Sequence, residues 1–163
     1  MWDKVGSSAM NDIKGNFRNR FYHTIDEKGR VSLPARYREI ISTSYDDQLI
    51  VTNYDSCLLA YPYDAWVTLE EKYNQLSIMQ PEVEIFGQFF IAGASECTVD
   101  KLGRILIPPN LREYANLKKN VVFVGMGSRI QIWDKQLWEE KFLAAKEQFR
   151  EIKGREFLAK LGF

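Results

Sequence analysis

The chain has 163 residues, 45% of them hydrophobic, 13% aromatic and 27% charged, which is ordinary globular composition for one domain or two small units sharing a core. No apolar stretch approaches the roughly 18 residues of a membrane span and the N-terminus carries no signal-type apolar run, so a cytoplasmic protein is expected. Basic and acidic residues balance at 22 each but are segregated: residues 1–38 hold 8 basic and 4 acidic groups, 39–100 hold 1 and 11, and 101–163 hold 13 and 7, a pattern that can place a positive field on one part of a neutral molecule.

Residues 1–16, with Gly6-Ser7-Ser8 and a second methionine at Met10, are expected to be an N-terminal extension or an added leader outside the folded unit. From Phe17 the sequence turns strand-like through Phe21-Tyr22-His23-Thr24. The next stretch, Ile25-Asp-Glu-Lys-Gly-Arg-Val-Ser-Leu-Pro-Ala-Arg-Tyr-Arg-Glu39, predicts a hairpin. Gly29 supplies the positive φ of a tight three-residue loop, and alternation then points Val31 and Leu33 inward, Arg30 and Ser32 outward. Pro34 suits the first turn of a short helix over Ala35–Ile41. Gln48–Val51 and Leu58–Tyr61 follow as buried strands, and Asp64 is placed as the N-cap of a helix carrying Trp66, Leu69, Tyr73 and Leu76. Pro81 breaks that helix, and Val83, Phe86, Phe89 and Phe90 form a second helical face.

The order then starts again. Val99-Asp-Lys-Leu-Gly-Arg-Ile-Leu-Ile-Pro-Pro-Asn-Leu-Arg-Glu113 repeats the first segment at an offset of 74, matching Asp100, Gly103, Arg104, Pro108, Arg112 and Glu113 to Asp26, Gly29, Arg30, Pro34, Arg38 and Glu39. Val121–Val124 echoes Gln48–Val51, Ile130–Trp133 echoes Leu58–Tyr61, and Asp134 opens a C-terminal helix with Leu137, Trp138, Phe142, Phe149, Ile152 and Phe157. The chain reads as a duplicated unit, residues 17–92 and 93–163. Its aromatic helix stripes are expected in the core or in a subunit interface.

Chemistry-bearing residues are sparse. His23 is the only histidine and cannot supply a metal cluster; Cys57 and Cys97 lack partners at ligand spacing and read as buried thiols. Gly125-Met-Gly-Ser-Arg129 has neither the third glycine nor the βαβ context of a nucleotide loop. An enzyme, a cofactor, a metal and a small-molecule substrate are therefore not expected. The positive candidates are cations: Lys14, Arg18, Arg20, Lys28, Arg30, Arg36 and Arg38 are read as clustering around the first hairpin, interleaved with Phe17, Phe21 and Tyr22. Arginine can hold a guanine edge with two hydrogen bonds while lysine neutralises phosphate. Asp26 can orient Arg30 across the turn. In the second copy, which has fewer surrounding cations, Asp100 and Arg104 are read instead as an ion pair that locks the turn.

The runs Asp26-Glu-Lys-Gly-Arg-Val-Ser-Leu-Pro-Ala-Arg-Tyr-Arg-Glu39, Cys57-Leu-Leu-Ala-Tyr-Pro62, Ala92-Gly-Ala-Ser-Glu-Cys97 and Asp100-Lys-Leu-Gly-Arg-Ile-Leu-Ile-Pro-Pro-Asn-Leu-Arg-Glu-Tyr-Ala115 resemble the MraZ family, from about Phe17 to the C-terminal helix. The resemblance implies an α+β fold in which two β-rich units form an AbrB-like swapped-hairpin (double-split) barrel with flanking helices. It also implies ring-shaped homo-oligomers larger than a dimer, and a nucleoid-associated repressor of its own division and cell-wall operon that binds promoter DNA bearing repeated short boxes. In such a family the first copy's arginine and neighbouring cations touch DNA, which here means Arg30, Lys28 and Arg18. Asn19 stands where the family usually has glycine. Two rivals stay open: a ring-forming structural or interaction protein without direct DNA contact, and an antitoxin-like partner, though such barrels usually carry one copy per chain.

Overall fold

The computed structural model describes residues 16–44 and 46–163. Among the described residues eight strands and six helices run in the order β1 (Arg20–Thr24), β2 (Arg30–Ser32), α1 (Ala35–Ser44), β3 (Gln48–Asn53), β4 (Leu58–Pro62), α2 (Tyr63–Asn74), α3 (Pro81–Phe86), β5 (Ser95–Thr98), β6 (Arg104–Leu106), α4 (Pro109–Tyr114), β7 (Asn120–Gly125), β8 (Ile130–Asp134), α5 (Lys135–Arg150) and α6 (Ile152–Lys160). A π-helical turn, Gly87–Ile91, continues α3. The fold is α+β with antiparallel strands, as the alternation and turn chemistry predict.

The two copies exchange strands. β1 of the first copy pairs with β7 of the second, and β5 of the second pairs with β3 of the first. Together with the hairpins β3–β4 and β7–β8 they form one six-stranded sheet, ordered β1-β7-β8-β4-β3-β5, while β2 and β6 pair separately as a two-stranded ribbon. Among the described residues β1 and β5 end the sheet without pairing to each other, so the closed barrel expected above is replaced by a sheet covered by a ribbon. Each ribbon strand has only three residues, and β2 and β6 lie against the edge strands β1 and β5 respectively.

Period-two alternation sends the strands' side chains to two faces, and both are buried. Leu49, Val51, Val121, Phe123, Ile130 and Ile132 meet Val31, Leu33, Ile105 and Ile107 from the ribbon in the main core, closed by Tyr37 of α1 and Leu111 of α4. On the opposite face Ile50 and Leu59 pack under Trp66 and Phe90, while Val122, Val124 and Trp133 pack under Trp138. The near-ends of the aromatic stripes are thus core, whereas Phe149, Phe157 and Phe163 remain exposed.

Several sequence expectations need correction. Asp64 does not cap α2: Pro62 occupies the N-cap position without a side-chain bond, and Asp64 lies within the first turn. In the second copy Asp134 does cap α5, accepting from the Leu137 amide. Pro34 and Pro108 precede their helices rather than beginning them, and Pro109 takes the first helical position of α4. The C-terminal helix is two helices, parted at Glu151 (φ −69°, ψ 170°), where Gly154 lets the Phe149 ring and carbonyl approach as a Cβ would not. The echo between β3 and β7 is also displaced by one residue: the pairing makes Leu49 equivalent to Val121.

Gly29 (φ +92°) and Gly103 (φ +76°) adopt the left-handed backbone that the hairpin loops demand. A Cβ on Gly29 would stand 2.8 Å from the Ile107 carbonyl oxygen, a backbone atom that cannot swing aside. Gly29→Ala is therefore expected to lower stability by about 1–3 kcal/mol, read as a drop in denaturant midpoint at unchanged slope; an unchanged midpoint would refute it.

Candidate nucleic-acid interface

The first hairpin loop is built by one carboxylate. Asp26 Oδ1 accepts the Lys28 amide at 3.0 Å and the Arg30 amide at 2.9 Å, while Oδ2 accepts the Arg30 Nε–H at 2.8 Å. The Gly29 amide closes the turn on the Asp26 carbonyl. Hydrogen bonds from the Arg30 amide and its guanidinium hold the Asp26 carboxyl below its ordinary range. Because the Asp26 bond engages Nε, the guanidinium is fixed in orientation, and among the described residues its two terminal nitrogens have no partner and can serve as the donor pair that a guanine edge requires. Lys28 is exposed at the loop.

The second loop reproduces this geometry. Asp100 Oδ1 accepts the Leu102 and Arg104 amides, each at 2.9 Å, and Oδ2 accepts Arg104 Nε at 3.0 Å; the Asp100 carboxyl is lowered by the same bonds. The turn lock is thus a shared device, and it cannot by itself make one loop a reader and the other a support.

Each loop is latched by the opposite copy. Arg112 of α4 donates from Nε to the Ile107 carbonyl at 3.0 Å and reaches the Glu27 carbonyl at 3.5 Å. Arg38 of α1 donates to the Leu102 carbonyl at 3.3 Å. The arginines that the repeat aligns are therefore crossed latches. Arg38 packs on the second loop, not in the cluster around the first where the sequence reading put it. The repeat alignment exposed the pair, but only the strand exchange shows which loop each one reaches.

The remaining cations are dispersed. Arg20 sits at the far end of β1, roughly 16 Å along the strand from Ile25, with its guanidinium 4.6 Å from the Phe142 ring centroid of α5. Arg18 lies before it, beside Gly125, and its carbonyl accepts the Tyr37 hydroxyl. Arg36 is exposed on α1, 3.3 Å from Glu39. Lys14 lies outside the described residues. Among the described cations of the expected patch, only Lys28 and Arg30 share the loop, because strand exchange and helix packing carry sequence neighbours to different edges.

His23 lies on β1 with its ring edge-on to Phe123, and burial holds its pKa below the ordinary value. Cys57 and Cys97 are buried thiols pushed up to about 12, which keeps them protonated and unreactive. No helix among the described residues is long and apolar enough to cross a membrane.

The family model described as "MraZ protein, putative antitoxin-like" matches the chain twice, over residues 17–89 and 90–160. A protein of Desulfitobacterium hafniense (strain Y51), named "Transcriptional regulator MraZ", is 44% identical over 133 residues, covering 82% of this chain and 91% of its own length. Proteins of the same name from Caldanaerobacter subterraneus subsp. tengcongensis (43%, covering 82% and 91%) and Syntrophobacter fumaroxidans (40%, covering 91% and 98%) align similarly. With both repeats matched and relatives aligned across nearly their whole length, the chain belongs to the MraZ family.

Proposed function

We propose that this protein is a sequence-specific DNA-binding transcriptional regulator that reads promoter DNA through its first hairpin, Arg30 contacting a base edge and Lys28 the adjoining phosphate. The observation that carries the reading is a guanidinium fixed by its Asp partner on an exposed loop, in a chain whose relatives are named transcriptional regulators; Lys28, where the second loop has Leu102, is what favours the first loop over its equally locked counterpart. Arg18, Arg20 and Arg36 act as peripheral phosphate neutralisers, and Lys14 adds a further positive charge to the N-terminal segment. The protein represses its own division and cell-wall operon as a cytoplasmic, nucleoid-associated regulator. The exchange of β1 and β5 between copies supports a swapped-hairpin arrangement of units 17–92 and 93–163.

Exposed Ile85 and Phe86 on α3 and Phe89 in the π-helical turn after it, with Phe149, Ile152 and Phe157 on α5 and α6, support a closed homo-oligomer larger than a dimer. A ring repeating one modest contact along repeated short boxes gains affinity by effective concentration, so each protomer can bind weakly. The rival is a ring protein that does not touch DNA; it draws support from the identical locks on both loops.

Mobility shift over a salt series separates them. DNA bound through phosphate contacts is expected to weaken steeply, log K falling by roughly 0.9 per contact for each unit of log salt. A flat salt response would remove the basic loop as the contact surface, and no shift at low salt would favour the rival.

A further inference from the structure

The two hairpins share one lock but stand on differently charged bases. The Ile25 amide, at the base of the first hairpin, donates to the Lys119 carbonyl at 2.9 Å, and the Val99 amide, at the base of the second, donates to the Asp47 carbonyl at 2.9 Å. Strand register fixes the equivalence: Thr24 faces Asn120 where Thr98 faces Gln48, and Leu49 faces Pro62 where Val121 faces Asp134. Lys118, Lys119 and Lys135 therefore occupy the places held by Asp46, Asp47 and Tyr63 in the other half. Three cations flank one hairpin, and two anions flank its counterpart.

The lysines are held together rather than merely near in sequence. Asp134, 3% exposed, accepts the Lys118 amide on Oδ1 at 3.3 Å and the Leu137 amide on Oδ2 at 3.4 Å, tying the turn before β7 to the start of α5, where Lys135 sits. Pro62 at the equivalent place offers no such side chain. All three lysines and both aspartates are exposed. A surface recess of about 270 Å³ takes part of its lining from the three lysines, with Glu139 and the capping Asp134 as its carboxylates. A second recess, about 370 Å³, shares Lys135 and Asn120 and runs onto Tyr22, Thr24 and Ser32 of the first hairpin. The positive surface is thus continuous with the reading hairpin although the opposite copy supplies it.

We propose that Lys118, Lys119 and Lys135 form a strip that binds the phosphate backbone of duplex DNA beside the first hairpin, and that Asp46 and Asp47 bar the second hairpin from the same contact. The proposal rests on the reading of the first hairpin as the DNA contact and deepens it: identical locks become functionally unequal because their flanks carry opposite charge. Lysines act here as point charges on phosphate and carry no sequence preference.

The test uses full-length protein, a duplex selected by the protein from a random pool, and a random-sequence duplex of equal length. The Lys118→Gln/Lys119→Gln variant is expected to lose about 1.8 from the slope of log K against log salt. Its affinity for both duplexes should fall by a similar factor, keeping the preference between them. Lys135→Gln alone should lose about 0.9 and serves if the double variant fails to fold, while Lys101→Gln, at the second loop, should leave the slope in place. Asp46→Lys/Asp47→Lys should steepen the slope on random duplex. An unchanged slope in the lysine variants, or a loss matched by Lys101→Gln, overturns the strip; an unchanged slope in the aspartate variant overturns the barred second hairpin. Wild-type protein that binds neither duplex overturns the proposed regulator itself, a failure distinct from a wild type that binds with no contribution from these lysines.

Discussion

Arg30→Ala is expected to abolish preference for the operator sequence while leaving secondary structure and oligomer size unchanged, and Arg104→Ala to leave that preference intact. Loss of one bidentate base contact costs about 1–3 kcal/mol, or roughly 5- to 150-fold in affinity per protomer. Protomers bound side by side on repeated boxes multiply the loss. The comparison is demanding because the loops are so alike: Asp26–Arg30 and Asp100–Arg104 differ by 0.2 Å in the Nε–Oδ2 distance, and each Oδ1 accepts the amides two and four residues on. Both substitutions should therefore carry the same modest structural cost, since solvent screens an exposed ion pair. Equal melting temperatures with unequal DNA binding would isolate reading from folding. If Arg104→Ala lost operator binding with assembly intact while Arg30→Ala bound normally, the first hairpin would not be the reading head.

The same pair shows how much of the site was legible in the sequence. Asp26, Gly29 and Arg30 announce the loop because a four-residue spacing, a positive-φ glycine and a carboxylate that can accept two amides are local chemistry. The repeat at an offset of 74 revealed the duplication for the same reason. Asn19 was visible as a departure from a usual glycine, and its φ of +72° supplies the reason, since asparagine is among the few residues that tolerate that backbone. What could not be read was partnership across copies. Nothing local in Arg38 tells that it reaches Leu102, or in Lys119 that its carbonyl seats Ile25. A charge count along the chain therefore grouped Arg18, Arg20 and Arg36 with Arg30. The exchanged strands place Arg20 against Phe142 instead, and bring three lysines from the other half to the first hairpin.

Tyr37→Ala is expected to be the most destabilising of the substitutions considered, because one side chain closes the main core and anchors the segment leading into β1. The ring is fully buried and stands edge-on to Phe17 and Phe21, at 5.3 and 5.1 Å between centroids. Its hydroxyl lies 2.6 Å from the Arg18 carbonyl and 2.7 Å from that of Asn19, its single proton shared between the two acceptors, and burial holds the phenol above its ordinary pKa. Truncation removes the aromatic volume and leaves a cavity, which costs about 3–5 kcal/mol for large aromatic side chains. Against a typical total of about 5–15 kcal/mol for a domain, that is a large share. Tyr37→Phe keeps the ring and removes only the donor, at about 1 kcal/mol. The consequence for function follows from topology. β1 is an edge strand, held by β7 on one side and by the Phe17–Gly127 bonds ahead of it, and the first hairpin, proposed as the DNA contact, follows its Thr24 end. Denaturant melts of the two variants give the comparison: a midpoint for Tyr37→Ala no lower than that for Tyr37→Phe would mean that ring packing is not what holds β1 and the core together.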